Sequence, residues 1–284
     1  MDFVPYEFCD RVLQSLDVER SSFHDYSQSL SGLWRTASSQ HLKHRRTFYI
    51  EISHSPPDQW CYCFPQLEET PHLIEILKMD RRYVRFRFVS VASAFFKNAK
   101  FRQISEKELL WKLVPYVATQ MTEKSHLTFR LDESTKTSLA LLELFRNHGR
   151  FQSLHIAHCG LESQLFLVEY VANLKHLSLY GNWNEDIEDH LVRFIKSPNF
   201  ECLELYNPSN LSVCTKLIRT FIEVWKEGAR KKMHMRGPTG ISLEDLISMA
   251  KADLYYVSEH YIQWRCEDMN LWCVIPDNIC LFSE

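Results

Sequence analysis

Glycine is scarce in this chain. Seven glycines occur among 284 residues, where average usage of roughly 7% would give about twenty. The shortage excludes much catalytic machinery, because loops that cradle phosphates need glycine to let the backbone approach the ligand. No G-x-x-x-x-G-K-[ST], G-x-G-x-x-G or G-x-S-x-G is present. Long apolar runs are missing too, and none approaches the roughly 18 residues of a membrane span. No basic excess exists. The 33 basic and 36 acidic residues leave a net charge of −3, so no global positive field draws the chain onto nucleic acid. The opening "MDFVPYEFCD" carries acid where a secretory signal would carry base, which argues against a signal peptide.

Cysteine is present but unorganised. The nine cysteines are odd in number and scattered, which fits buried free thiols in a reducing compartment, cytoplasmic and/or nuclear. Cys61 and Cys63 in "WCYCF" form a C-x-C pair with no second pair at zinc-finger spacing. Neither a metal site nor a cofactor is expected from that pattern. The remaining composition, 45% hydrophobic and 24% charged, is that of a globular protein.

What is present is a spacing. "LKHLSLYGN" (174–182) fits L-x-x-L-x-L-x-x-N, the leucine-rich-repeat pattern. "FQSLHIAHCGL" repeats it with Phe151, Leu154, Ile156, Cys159 and Leu161, and "FECLELYN" with Phe200, Leu203 and Leu205. Looser copies are "LTFRL" at Leu127 and Phe129 and "KMHMRG" at Met233 and Met235, with "YIQWR" at Ile262 and Trp264 as a sixth. Steps between Leu127, Leu154, Leu177, Leu203 and Met233 are 27, 23, 26 and 30 residues, inside or at the edge of the roughly 20–29 of this repeat class.

Amphipathic segments lie between the copies, at 134–149, 161–174, 184–197 and 209–228. They read as helices, with Ser134, Asn184 and Ser209 as N-caps and Gly149 and Gly228 as stops. Each unit is then a short strand followed by a helix. Leu177 and Leu179 point into the core, and Asn182 or Cys159 lies inside the turn, where it satisfies backbone groups left unpaired by the bend. The expected fold is α/β: an irregular leucine-rich-repeat-like solenoid of short parallel strands alternating with helices. The competing reading is an ordinary βα domain.

The first third differs. Val4-Pro5 is followed by Phe8, Val12, Leu13 and Leu16 at helical intervals, and Phe23, Tyr26, Leu30, Leu33 and Trp34 continue that spacing. "TFYIEI" (47–52) and "YVRFRFVSV" (83–91) alternate like strands. The expected division is a helical segment 1–46, a strand-rich connecting region 47–100 packed on the first repeat, and an α/β repeat region 101–284. A helical start serves as a cap for the exposed end of a repeat array.

Residues 1–46 also resemble the F-box motif, and the amino-terminal segment of a large family of nematode F-box-like proteins with repeat-like carboxyl-terminal regions. The residues carrying the resemblance are Val4-Pro5, Phe8 and Cys9, Leu33-Trp34, and His41 with Arg45. The later Val-Cys…Trp stretch of the motif is not evident. The resemblance implies a substrate receptor of a cullin-RING ubiquitin ligase, or a relative that has lost that link. It implies Val4, Pro5, Phe8 and Val12 as the edge that binds a Skp1-like adaptor.

Two constellations remain. In "RRYVRFRF" (81–88), alternation places Arg85 and Arg87 on one strand face and Phe86 and Phe88 on the other. Interleaved basic and aromatic residues on a sheet can bind single-stranded RNA, but aromatics on the face opposite the arginines also fit a core strand. The repeat strands, aligned, project one row of Thr128, His155, Ser178, Glu204 and His234, and a second of Arg130, Ala157, Tyr180, Tyr206 and Arg236. A hydrolase triad needs its histidine between serine and acid, and here Ser178 falls between His155 and Glu204. No catalytic residues and no enzyme are expected. The row reads as a target-binding surface made of Arg130, His155, Ser178, Tyr180, Glu204, Tyr206, His234 and Arg236.

Overall fold

The computed structural model describes residues 4–16, 22–55, 59–93, 100–131, 135–184, 186–227, 232–249, 253–257, 261–266, 269–274 and 279–283. The chain divides into two compact units, one of Met1–Leu131 and Thr135–Phe151, the other of Asp132–Ser134 and Gln152–Glu284. Among the described residues no helix is long and apolar enough to cross a membrane.

The first unit opens with three helices, α1 (Tyr6–Ser15), α2 (Ser22–Ser29) and α3 (Gly32–His44). Pro5 is the N-cap of α1, and its carbonyl accepts from the amides of Phe8 and Cys9. Proline costs nothing there, since its missing N–H would have no helical partner. Cys9, Leu13, Phe23 and Ala37 form the buried centre of the three helices.

Next come β1 (Arg46–Ser55), β2 (Gln59–Cys63), α4 (Leu73–Lys78), β3 (Val84–Ala92), β4 (Arg102–Ile104), α5 (Glu106–Glu108), α6 (Val114–Thr119), β5 (Met121–Arg130) and α7 (Lys136–His148). The strand order is β5-β3-β1-β2-β4. β1, β3 and β5 are parallel, while β2 and β4 extend the sheet antiparallel. A π-helical turn at Leu109–Leu113 joins α5 to α6. It ends two residues before Pro115, whose ring and missing N–H disturb the α-helical ladder one turn upstream.

Strict alternation fails on β3. A bulge between Phe86 and Phe88 turns the strand. Phe86 is fully buried, whereas Phe88 is 44% exposed. The two phenylalanines therefore lie on opposite faces, not on one as alternation predicts.

The second unit runs β6 (Ser153–Ala157), α8 (Leu161–Tyr170), β7 (His176–Gly181), α9 (Ile187–Lys196), β8 (Cys202–Ser209), α10 (Thr215–Lys226), β9 (His234–Gly237), α11 (Leu243–Met249), β10 (Leu254–Val257), β11 (Tyr261–Cys266), β12 (Met269–Val274) and β13 (Ile279–Ser283). β6, β7, β8 and β9 are parallel neighbours in sequence order. Crossovers of one hand, all stepping the same way, put α8, α9 and α10 on one side of the sheet. Leu154 pairs with Leu177 and Leu177 with Leu203, while Ile156 pairs with Leu179 and Leu179 with Leu205. All six are buried, as are Phe166, Leu191, Phe194, Phe221 and Trp225 of the helices. Phe200, just before β8, is held edge-on by Phe194 and Phe221 at 5.0 and 6.0 Å.

Several local expectations are corrected. "YIQWR" is not a sixth parallel unit: β10, β11, β12 and β13 pair antiparallel, and β13 pairs antiparallel with β9. Residues 258–260, 267–268 and 275–278 join these strands, too few for a parallel crossover. Asn182 is exposed instead of lining the turn. The turn is made by Gly181 at φ +81°, and the Trp183 indole donates to the Tyr180 carbonyl at 2.8 Å. Cys159 is buried as expected, and its amide donates to the Ser163 hydroxyl at 3.1 Å.

The caps also shift. Thr135 caps α7 in a reciprocal bond pair with Ser138, and the N-caps of α9 and α10 are Asp186 and Cys214, two and five residues after Asn184 and Ser209. Gly149 is the C-cap of α7, where an added Cβ would come within 2.6 Å of the Phe145 carbonyl oxygen. Ser134, Gly228 and residues 229–231 lie outside the described residues.

Candidate functional site

One-sided placement of the helices leaves the opposite face of β6–β9 to polar side chains. Alternation sends Leu177 and Leu179 to the core and Ser178 and Tyr180 to that face. The row expected there is real in part. His155 pairs with Ser178, Ser178 with Glu204, and Glu204 with Arg236.

His234 and Arg236 are displaced by two residues from their expected rows. Arg236 stands beside Glu204, and His234 stands beside Cys202. The slip brings Gly237 against Leu205, where an added Cβ would lie 2.8 Å from the Leu205 Cβ. A glycine fits that position and a methionine does not. Arg130 is exposed on β5 of the first unit, paired with Ala92, while the other seven expected target-binding residues belong to the second unit.

Tyr180 and Tyr206 stack face to face, 4.5 Å between ring centroids and 3° between planes. Glu204 organises the middle of the face: one of its carboxylate oxygens accepts from the Ser178 hydroxyl at 3.0 Å and from the Tyr206 hydroxyl at 2.7 Å. Burial and the acceptor bond to Glu204 hold the Tyr206 phenol well above its ordinary range.

A second cluster adjoins the first and has no local sequence signal beyond Cys202-x-Glu204. The Cys202 thiol lies 3.4 Å from His234 Nδ1, and the Cys280 thiol 3.1 Å from His234 Nε2. One donor atom each from Cys202, Glu204 and His234 lies within 4.8 Å of the other two, and all three residues are half-buried. Burial, with the Glu204 charge, pushes the Cys202 thiol up to about 12. Burial holds the His234 imidazole below its ordinary value. Cys280 comes from a strand 46 residues further along the chain, so no spacing rule could have joined it to His234.

The expected adaptor residues differ in exposure, and Val4 packs against the buried centre of the three helices. Pro5 is exposed, Phe8 is 53% exposed and sits edge-on to Trp34 at 6.2 Å, and Val4 and Val12 are half-buried. His41 and Arg45, which also carry the F-box resemblance, are fully inside. No protein-family model matches the chain, and neither do curated proteins or solved structures.

Proposed function

We propose that the chain is a protein-binding receptor whose docking surface is the polar face of β6–β9. The observation that carries this reading is the stacked, half-exposed Tyr180–Tyr206 pair in the middle of that face. Tyrosine supplies a large contact area at low entropic cost and dominates many interfaces. On this reading the second unit works as a leucine-rich-repeat-like solenoid and residues 1–46 as an F-box-like segment. A Skp1-like adaptor docks through Val4, Pro5, Phe8 and Val12, and the target is delivered to a cullin-RING ubiquitin ligase. The adaptor half rests on the resemblance of the helical segment and on the exposure of Pro5 and Phe8.

A second reading, single-stranded RNA binding, is favoured by one arrangement in the first unit. The β3 bulge lines up Tyr49, Phe88 and His126 on one face, with ring separations of 4.9 and 4.4 Å, and bases stack on such rings.

The test is affinity purification followed by identification of captured protein and RNA. Replacing Tyr180 and Tyr206 together by alanine should remove the target, and the Pro5→Ala/Phe8→Ala double change should remove the adaptor while the target stays bound. Captured RNA that disappears on Phe88→Ala, with protein capture unaffected by the tyrosine pair, would decide for the second reading.

A further inference from the structure

We propose that Cys202, Glu204 and His234 form a zinc-binding site with one open coordination position, and that Cys280 orients His234 within it. The proposal stands on where the donor atoms lie, independently of whether a protein docks on the same face.

Zinc bonds of about 2.3 Å to sulfur and about 2.0–2.1 Å to nitrogen or oxygen, arranged tetrahedrally, put neighbouring ligand atoms roughly 3.3–3.8 Å apart. The Cys202 sulfur and His234 Nδ1 are already 3.4 Å apart. With all three donor atoms within 4.8 Å of one another, the Glu204 carboxylate needs to move by no more than about 1.5 Å to meet the same spacing. A side-chain rotation on a half-exposed strand face supplies that.

The surrounding bonds are those a metal site needs. The Ser178 and Tyr206 hydroxyls both donate to the same Glu204 oxygen. They steer the carboxylate and leave its other oxygen for an ion. For Nδ1 to bind a metal, the imidazole must carry its proton on Nε2. The Cys280 sulfur, 3.1 Å from Nε2, is placed to accept a hydrogen bond from that N–H. Outer partners of this kind fix the ring's tautomer and orientation, and their loss typically costs about 10–100-fold in metal affinity.

Ligand chemistry selects the ion. One thiolate, one imidazole and one carboxylate suit zinc, whereas magnesium and calcium favour oxygen ligands throughout. Three protein ligands leave a fourth position for water or for a donor atom brought by a partner.

The experiment uses the purified full chain and cobalt(II), which reports on zinc sites by its colour. Cobalt should bind at one equivalent with a thiolate-to-cobalt charge-transfer band in the near ultraviolet, and zinc should bleach it. Cys202→Ser should abolish the band. Cys280→Ser should keep it and weaken cobalt binding by about tenfold or more. A wild-type chain without the band, a band that survives Cys202→Ser, or one lost in Cys280→Ser would overturn the assignment. X-ray absorption of the zinc-loaded wild type needs no variant and so guards against one that does not fold. One sulfur neighbour with nitrogen and oxygen neighbours is expected, and two sulfurs or none would overturn the site.

Discussion

His41 on α3 and Arg45, the residue that ends this helix, lie four positions apart, and both are buried. The guanidinium of Arg45 donates to the carbonyls of Leu16, Leu13 and Gln14 at 2.9, 3.0 and 3.3 Å, and lies 4.4 Å from the centroid of the Phe23 ring. Those carbonyls lie at the C-terminal end of α1, where backbone acceptors run out of helical partners; the Leu13 carbonyl also accepts from the Leu16 amide at 3.3 Å, and the Gln14 carbonyl from the Arg85 guanidinium. Arg45 thus ties α1 to α3. Arg45→Met should destabilise the chain by roughly 1–3 kcal/mol, because the Leu16 carbonyl loses this donor while those of Leu13 and Gln14 keep the Leu16 amide and Arg85. A loss under about 1 kcal/mol in denaturant melts would show that water replaces the guanidinium.

His41 gives the residue scale a pH dependence. Its ring stacks on Phe23 at 5.2 Å and meets Tyr83 at 5.1 Å, and Nε2 lies 3.1 Å from the buried Asp10 carboxylate, which also binds Arg82. Burial, then the neighbouring Arg45 charge, hold His41 below its ordinary value, and Asp10 opposes them. The folded state therefore binds fewer protons than the unfolded state near pH 6.5. This contribution to stability is complete above about pH 6.5 and is lost as pH falls from there toward the folded value. Histidine ring NMR should show His41 titrating below about 6.5. Titration above that value would mean that Asp10 outweighs desolvation.

At the scale of elements, β7 separates two kinds of burial. Leu177 and Ser178 are adjacent and both buried, but Leu177 faces the helices and Ser178 the polar face. Leu177→Ala should cost about 2–5 kcal/mol through the cavity it leaves. Ser178→Ala should cost about 1 kcal/mol, the net value of a hydroxyl bond whose acceptor, Glu204, keeps Tyr206 as a partner. Equal losses in denaturant melts would refute this division of faces. The same element shows where a sequence pattern misleads. Asn182 occupies the pattern's polar position yet is exposed, because Gly181 and Trp183 already close the turn.

At the scale of the molecule, strand order decides what can bind. Four parallel strands laid down in sequence order, with helices on one side, leave one continuous face for side chains such as Tyr180, Glu204 and Tyr206. On the proposed function, loss of each tyrosine should weaken target capture by about 1 kcal/mol or more, about fivefold or more in affinity. The stacked pair also contributes to folding, so the double variant should lose about 1 kcal/mol of stability. Weaker capture with that modest loss separates a binding role from unfolding.

The leucine spacing alone determined the parallel strands β6, β7 and β8, their register and their buried side, because alternation and burial leave one choice of face. It placed Tyr180 beside Tyr206 for the same reason. The Gly149 stop of α7 was legible, but the N-cap positions, the β3 bulge and the antiparallel run β10–β13 were not, since each is chosen by packing or by loop length and not by a local period. Nor was the two-residue slip of β9, which depends on Gly237 fitting where Leu205 and Val213 crowd the backbone. That slip, together with the return of β13 beside β9, carries His234 to Cys202 on one side and to Cys280 on the other. Only the tertiary structure could bring those three together, because hydrogen bonds between strands, not distance along the chain, set which side chains meet.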